Sequence, residues 1–106
     1  MSERMRRRYL ALEVIGEQPI SEKDIANAIW NAILQLFGEY GASKANLTLI
    51  EYSSQKKCAI VRCSHKALEM VRASITSITE INEKPAAVHV LGVSGTLRAL
   101  RKRPFW

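Results

Sequence analysis

Leu47 to Cys63, LTLIEYSSQKKCAIVRC, is the stretch whose reading decides the fold. Two runs rich in apolar and β-branched residues, Leu47 to Tyr52 and Lys57 to Cys63, flank the polar Ser53-Ser54-Gln55-Lys56, a pattern that predicts a β-hairpin. A hairpin in mid-chain makes the neighbouring strands antiparallel. Before it, Ser21-Glu22-Lys23-Asp24 fits a Ser-x-x-acid helix start, and Ile25, Ile29, Ile33, Leu36 and Phe37 recur at helical spacing. This predicts a helix from Glu22 to Phe37, stopped by Gly38 and Gly41. Further back, Leu10, Leu12 and Val14 alternate with Tyr9, Ala11 and Glu13, a half-buried strand ended by Gly16 and Pro19. After the hairpin, Ser64 is placed to cap a second helix with Ala67, Leu68, Val71, Ile75 and Ile78 on one face, fading over Glu80 to Lys84. Val88 to Val93 is the last strand, and a short helical segment follows.

The order β-α-β-β-α-β with a C-terminal helical segment predicts an α+β, ferredoxin-like or RNA-recognition-like two-layer sandwich: an antiparallel sheet with two helices on one face. One domain is expected over 1–106, with basic arms at 1–8 and 97–106. The second sheet face would show Tyr9, Ala11, Glu13, Ile50, Tyr52, Ile60, Arg62, His89 and Leu91, too apolar a set to stay wet, and Leu97 and Leu100 of the last helix are placed to cover it. On the first helix Trp30 and Leu34 widen the apolar stripe beyond one core seam. With Phe37 and Tyr52 they are candidate partner-interface residues, the alternative being that Trp30 packs on the domain's own edge.

The charge is unevenly placed. Residues 1–8 hold Arg4, Arg6, Arg7 and Arg8 against Glu3, a net of +3, and residues 98–103 hold Arg98, Arg101, Lys102 and Arg103 with no acid, a net of +4. The remaining eight basic and nine acidic residues between them leave the body near neutral, against +6 for the whole chain. Basic blocks of this kind mark tails for nucleic acid or an anionic surface. At Ser94-Gly95-Thr96 a strand turns into the basic segment, and such a turn can aim backbone N–H groups at an anion. These residues and the two arginine-rich arms are the candidate RNA contacts. The hairpin-tip Lys56 and Lys57 are read as a solvated turn.

Chemistry of its own is not indicated. Gly92-Val93-Ser94-Gly95 lacks the spacing of a nucleophile elbow, and the glycines fit neither a P-loop nor a dinucleotide fingerprint. His65 and His89 have no ligand-spaced neighbours, and Cys58 and Cys63, at odd separation on one strand, point to opposite faces as buried thiols of a reducing compartment. No apolar run is long enough to cross a bilayer and the start lacks a signal-peptide core, so the expected location is the cytoplasm. Two rivals to an RNA-binding subunit are a protein-interaction module without direct RNA contact and a small acylphosphatase-like hydrolase, for which Arg8 and Gln18 are poor anion-loop substitutes. Base stacking in the manner of an RNA recognition motif is excluded on the third strand, KKCAIVRC, which has no aromatic.

IANAIWNAILQLFGEYGASKANLTLIEY, AIVRC and the ending VHVLGVSGTLRALRKR, in that order, resemble the ribonuclease P protein component 2 family, an archaeal group with a eukaryotic counterpart, from about Tyr9 to Arg103. LFGEYGA, AIVRC and VSGT carry most of the resemblance. It implies a non-catalytic accessory subunit of a ribonucleoprotein endonuclease. The RNA of that particle uses Mg²⁺ to remove the 5′ leader of precursor tRNA, and no cofactor sits on the protein. The implied partners are the ribonuclease P RNA, a larger TIM-barrel-like protein subunit, and a second copy of the chain at the centre of a two-plus-two assembly. By motif, Arg62, Ser94, Gly95 and Thr96 match family positions, and this resemblance adds Arg62 to the candidate RNA contacts; the later basic residues match in character only, and the arginine-rich start and Pro104-Phe105-Trp106 lie outside the pattern.

Overall fold

Strand β1 (Arg7–Gly16) runs through the middle of the sheet in this computed structural model, which describes residues 6–104. The chain continues through α1 (Glu22–Ala45), β2 (Thr48–Ser53), β3 (Cys58–Ser64), a 3-10 turn (His65–Ala67) into α2 (Leu68–Thr76), β4 (Glu80–Ile81), β5 (Lys84–Ser94) and α3 (Leu97–Arg101). The sheet order is β2-β3-β1-β5-β4 and every pair is antiparallel. With α1 and α2 on one face, this is the expected ferredoxin-like sandwich. Leu10, Leu12 and Val14 of β1, Val61 of β3 and Val88 of β5 meet Ile25, Ile29 and Ile33 of α1 and Val71 and Ile75 of α2 in the main core. Full burial of each large side chain there contributes about 1.5–3 kcal/mol.

The start of α1 is the capping box that the sequence predicts. Ser21 Oγ accepts from the Asp24 N–H (3.2 Å) and Asp24 Oδ2 accepts from the Ser21 N–H (3.1 Å). That backbone bond, together with side-chain partners Asn82 and Ser21, holds the Asp24 carboxyl below the ordinary carboxylate range. The end of α1 differs from expectation. Gly38, at φ 75° and ψ −179°, breaks the helix, but helical turns resume and run to an αL cap at Asn46. Gly41 lies within these turns, and glycine fits there because a Cβ would stand 2.7 Å from Phe37 Cβ and 3.2 Å from Met70 Sδ, where α1 meets α2. Leu36 and Phe37, at helical spacing with the buried Ile25, Ile29 and Ile33, lie 50% and 44% exposed just before the break at Gly38, Phe37 at the surface as a candidate partner contact would be.

Gly38→Ala puts a side chain into open space but into a backbone region that essentially only glycine occupies. We expect it to cost about 1–3 kcal/mol in urea unfolding; an unchanged midpoint would show that the helix runs straight through.

Three further expectations are corrected. Ser64 does not cap α2 through its side chain; its hydroxyl donates to the Lys44 carbonyl (3.0 Å) and ties β3 to the end of α1. Glu80 to Lys84 is no fading helix. It is a hairpin in which Asn82 and Glu83, both at positive φ, turn β4 into β5, so the last strand starts at Lys84 and not at Val88. The N-terminal basic block is no detached arm beyond Arg6, since Arg7 and Arg8 already pair with Ser64 and Cys63. Cys58 and Cys63 are buried free thiols, and burial pushes the Cys63 thiol up to about 11 against the opposing pull of Arg8.

Candidate nucleic-acid interface

Alternation and two bulges decide what the second sheet face presents. Between Leu49 and Glu51 of β2, Ile50 is an extra residue against β3, and between Gly92 and Val90 of β5, Leu91 is an extra residue against β1. Three rows of paired residues result. Thr48, Arg62, Tyr9 and Ser94 form the outermost, Glu51, Ile60, Ala11 and Gly92 the middle, and Ser53, Cys58, Glu13 and His89 the last. Because a bulge shifts phase by one residue, Tyr52 leaves this face and packs against the main core, its hydroxyl donating to the Ile20 carbonyl (2.6 Å). Tyr52 is therefore neither an open-face residue nor an exposed partner contact, and burial raises its phenol above the usual value.

The middle row is covered by α3. Leu100 is fully buried against Ala11 and Ile60, with Tyr9, Ile50, Leu91 and Leu97 packed around them. This is the cover the sequence expects from Leu97 and Leu100. It also closes the surface on which a recognition motif of this topology would stack bases.

Docking of α3 sorts the terminal cations. Arg101 forms an ion pair with Glu51 at the edge of the middle row, and Arg103 donates to the Val93 carbonyl (3.2 Å). Arg98 and Lys102 are exposed and have no acidic partner among the described residues. In the turn before α3, Thr96 Oγ1 accepts from the Ala99 N–H (3.2 Å) and Ser94 Oγ from the Thr96 N–H (3.3 Å). Two backbone donors expected to face an anion are thus satisfied within the turn, and a five-residue helix adds little dipole of its own.

The N-terminal residues join this end of the molecule. Tyr9 pairs with Ser94, and the Arg8 guanidinium lies beside Gly95, 3.5 Å from where a Cβ on that residue would be, while donating to the Arg7 carbonyl (3.0 Å). Arg62 sits one strand away in the same row as Tyr9. Arg6 immediately precedes β1, whereas Arg4, Phe105 and Trp106 lie outside the described residues. Arg7, Arg8, Arg62, Ser94, Gly95 and Thr96 therefore lie at one end of the sheet, and α3, with Arg98, Arg101, Lys102 and Arg103 on it or just after it, starts from that end. The tip lysines do not lie there: Lys57 reaches the Gly16 carbonyl at the other end of β1 (3.4 Å). Gln18 is also at that far end, where it donates to Ile81 (3.3 Å), so Arg8 and Gln18 are separated by the whole length of β1 and cannot share a substrate.

The Arg101–Glu51 pair was invisible in sequence, being 50 residues apart. Glu51→Gln should release Arg101 for phosphate contact and steepen the log-log salt dependence of RNA binding by about one. Stability should move by no more than about 1 kcal/mol, since both groups are solvated. An unchanged slope in a salt titration would mean that Arg101 faces no phosphate.

Of the candidate protein contacts on α1, Trp30 (41% exposed) and Phe37 are on the surface, while Leu34 is partly buried against the core. Among the described residues no three His, Cys, Asp or Glu side chains gather as a metal site, and no helix is long and apolar enough to cross a membrane.

Comparison with known proteins matches residues 8–104 to the model of the Rpp14/Pop5 family. Ribonuclease P protein component 2 of Pyrococcus furiosus is 38% identical over 100 residues, which is 94% of this chain and 83% of that protein. The protein of the same name in Methanosarcina mazei is 38% identical over 95 residues, 90% of this chain and 80% of that one. In Methanocaldococcus jannaschii it is 37% identical over 95 residues, with shares of 90% and 69%. Among solved structures, a chain in the cryo-EM structure of yeast ribonuclease MRP superposes with a TM-score of 0.75 over 92% of this chain and 80% of that chain; at 18% identity the likeness speaks for the fold alone.

Proposed function

We infer the function of this chain from kinship, for it belongs to the Rpp14/Pop5 family. It is a protein subunit of ribonuclease P that binds and stabilises the catalytic RNA for 5′ maturation of precursor tRNA and cuts nothing itself. The chemistry belongs to the RNA with its Mg²⁺, and the protein carries no cofactor. A folded RNA is a polyanion whose compact state is opposed by self-repulsion, and cations held at fixed positions relieve that repulsion while releasing counterions. The observation that carries this reading is the seating of α3: Leu100 anchors the helix to the sheet with Arg98 and Lys102 exposed on it, and Arg8 lies beside Gly95 in the turn from which that helix starts. Contacts of this kind position an RNA without reading its bases. A protein-interaction module without RNA contact is not favoured.

Its protein partners, on this reading, are a larger TIM-barrel-like subunit and a second copy of the chain in a two-plus-two assembly in the cytoplasm. The exposed Trp30 and Phe37 are the side chains we assign to a protein contact, since aromatics supply most anchoring energy at such surfaces. Precursor-tRNA cleavage reconstituted with the RNA and its other subunits should gain rate, or tolerate lower Mg²⁺, when this protein is added. No gain would remove the reading, and leader removal by the protein without RNA would replace it with an enzyme.

A further inference from the structure

On the helix-covered side, at the Arg6 end of β1, an open groove lies between the end of α1 and the start of α2. Arg6, Tyr40, Lys44, His65, Lys66 and Met70 line it, and among the described residues no carboxylate does. Its walls are pinned to one another. The His65 N–H donates to the Arg6 carbonyl (2.8 Å), and Ser64 bridges to the Lys44 carbonyl. Tyr40 stands 74% exposed, with Lys44 Nζ 4.8 Å from the centre of its ring.

We propose that this groove holds a single-stranded RNA segment, one base stacked on Tyr40 and the flanking phosphates on Arg6, Lys44 and Lys66. The proposal rests on the ribonucleoprotein reading above and adds to it a second contact, of a different kind from that at α3. A cationic groove with an aromatic platform is the arrangement that binds unpaired strands, because every base offers a π-face and the cations follow the backbone. A duplex keeps its bases stacked inside and leaves Tyr40 nothing to pair with. The sheet face that normally supplies such a platform in this topology is closed by Leu100, and of the exposed aromatics of α1 it is Tyr40 that lines this cationic groove. The break at Gly38 sets the course of the last turns of α1, on which Tyr40 and Lys44 stand. Arg6 connects this groove through Arg7 and Arg8 to the turn at Gly95, so one RNA can engage both places.

The test uses the full chain and fluorescence anisotropy with three probes: a short oligouridylate, the same strand annealed to oligoadenylate, and a ribonuclease P RNA transcript. Tyr40→Ala should weaken oligouridylate binding about 5- to 150-fold, the range for losing one base stack, while Tyr40→Phe keeps it. Arg6→Ala and Lys66→Ala should each flatten the salt slope by about one. The annealed duplex should be indifferent to Tyr40→Ala. Because Tyr40 is exposed, thermal melting should be unmoved, which separates lost stacking from lost folding. Equal oligouridylate affinity with and without Tyr40 overturns the groove, as does failure to bind oligouridylate while the ribonuclease P RNA still binds; in both cases the subunit reading survives. Failure to bind any of the three overturns both.

Discussion

Leu100→Asp should strip α3 from the sheet and lower stability by at most about 3–5 kcal/mol, the range for a charge that stays buried without a partner. Leu100 is fully buried against Ala11 and Ile60, and its chain neighbour Arg101 is engaged with Glu51. The molecule's escape is to undock α3, which exposes Ala11 and Ile60 and limits the loss to the docking energy of the helix. The same variant should lose RNA affinity, because Arg98 and Lys102 then sit on a tether and ordering them again costs entropy on binding. Leu100→Met is the matched control, expected to cost less than about 1.5 kcal/mol. Urea unfolding and RNA anisotropy on the same preparations check both halves. If Leu100→Asp unfolds like the parent, α3 does not rest on the sheet in solution and the arrangement of cations drawn from it falls as well.

Arg98→Ala combined with Lys102→Ala should reduce the log-log salt slope of RNA binding by about two and weaken binding roughly 50-fold near 0.1 M salt, following the counterion release of two phosphate contacts. Arg101→Ala should leave the slope nearly unchanged, because that guanidinium already faces Glu51. The contrast is the informative part. Net charge drops in both variants, so a protein attracted to RNA by overall charge alone would lose slope in both. Matching slopes for Arg101→Ala and the Arg98 and Lys102 pair would mean that the docked geometry does not govern contact.

Much of this architecture is legible because local chemistry carries it. The Ser21 to Asp24 capping box, the isoleucines at helical spacing, the alternation along β1 and the polar break between β2 and β3 each specify an element from residues within a turn or a strand of one another. Even the cover over the second face follows, since an apolar row such as Ala11 and Ile60 needs a lid and Leu97 and Leu100 are the apolar residues left to supply it. What escaped has a physical reason in each case. Asn82-Glu83 makes a turn through positive φ without a glycine, so the break after α2 reads as fraying helix. Gly38 interrupts α1 without ending it, because contacts with α2 at Gly41 and Met70 hold the later turns in place.

By itself, then, the amino-acid order determined the sandwich, its antiparallel centre, the neutral body with cationic ends, and the absence of third-strand aromatics. Only the tertiary structure decided which cations are available and which aromatic lines a cationic groove. The bulge at Ile50 set the side on which Tyr52 lies, and packing brought Glu51 to Arg101, Arg8 to Gly95 and Tyr40 to a groove rim. Periodicity records which face a residue takes within its own element; pairing between elements far apart in the chain depends on register and docking, which no local pattern encodes.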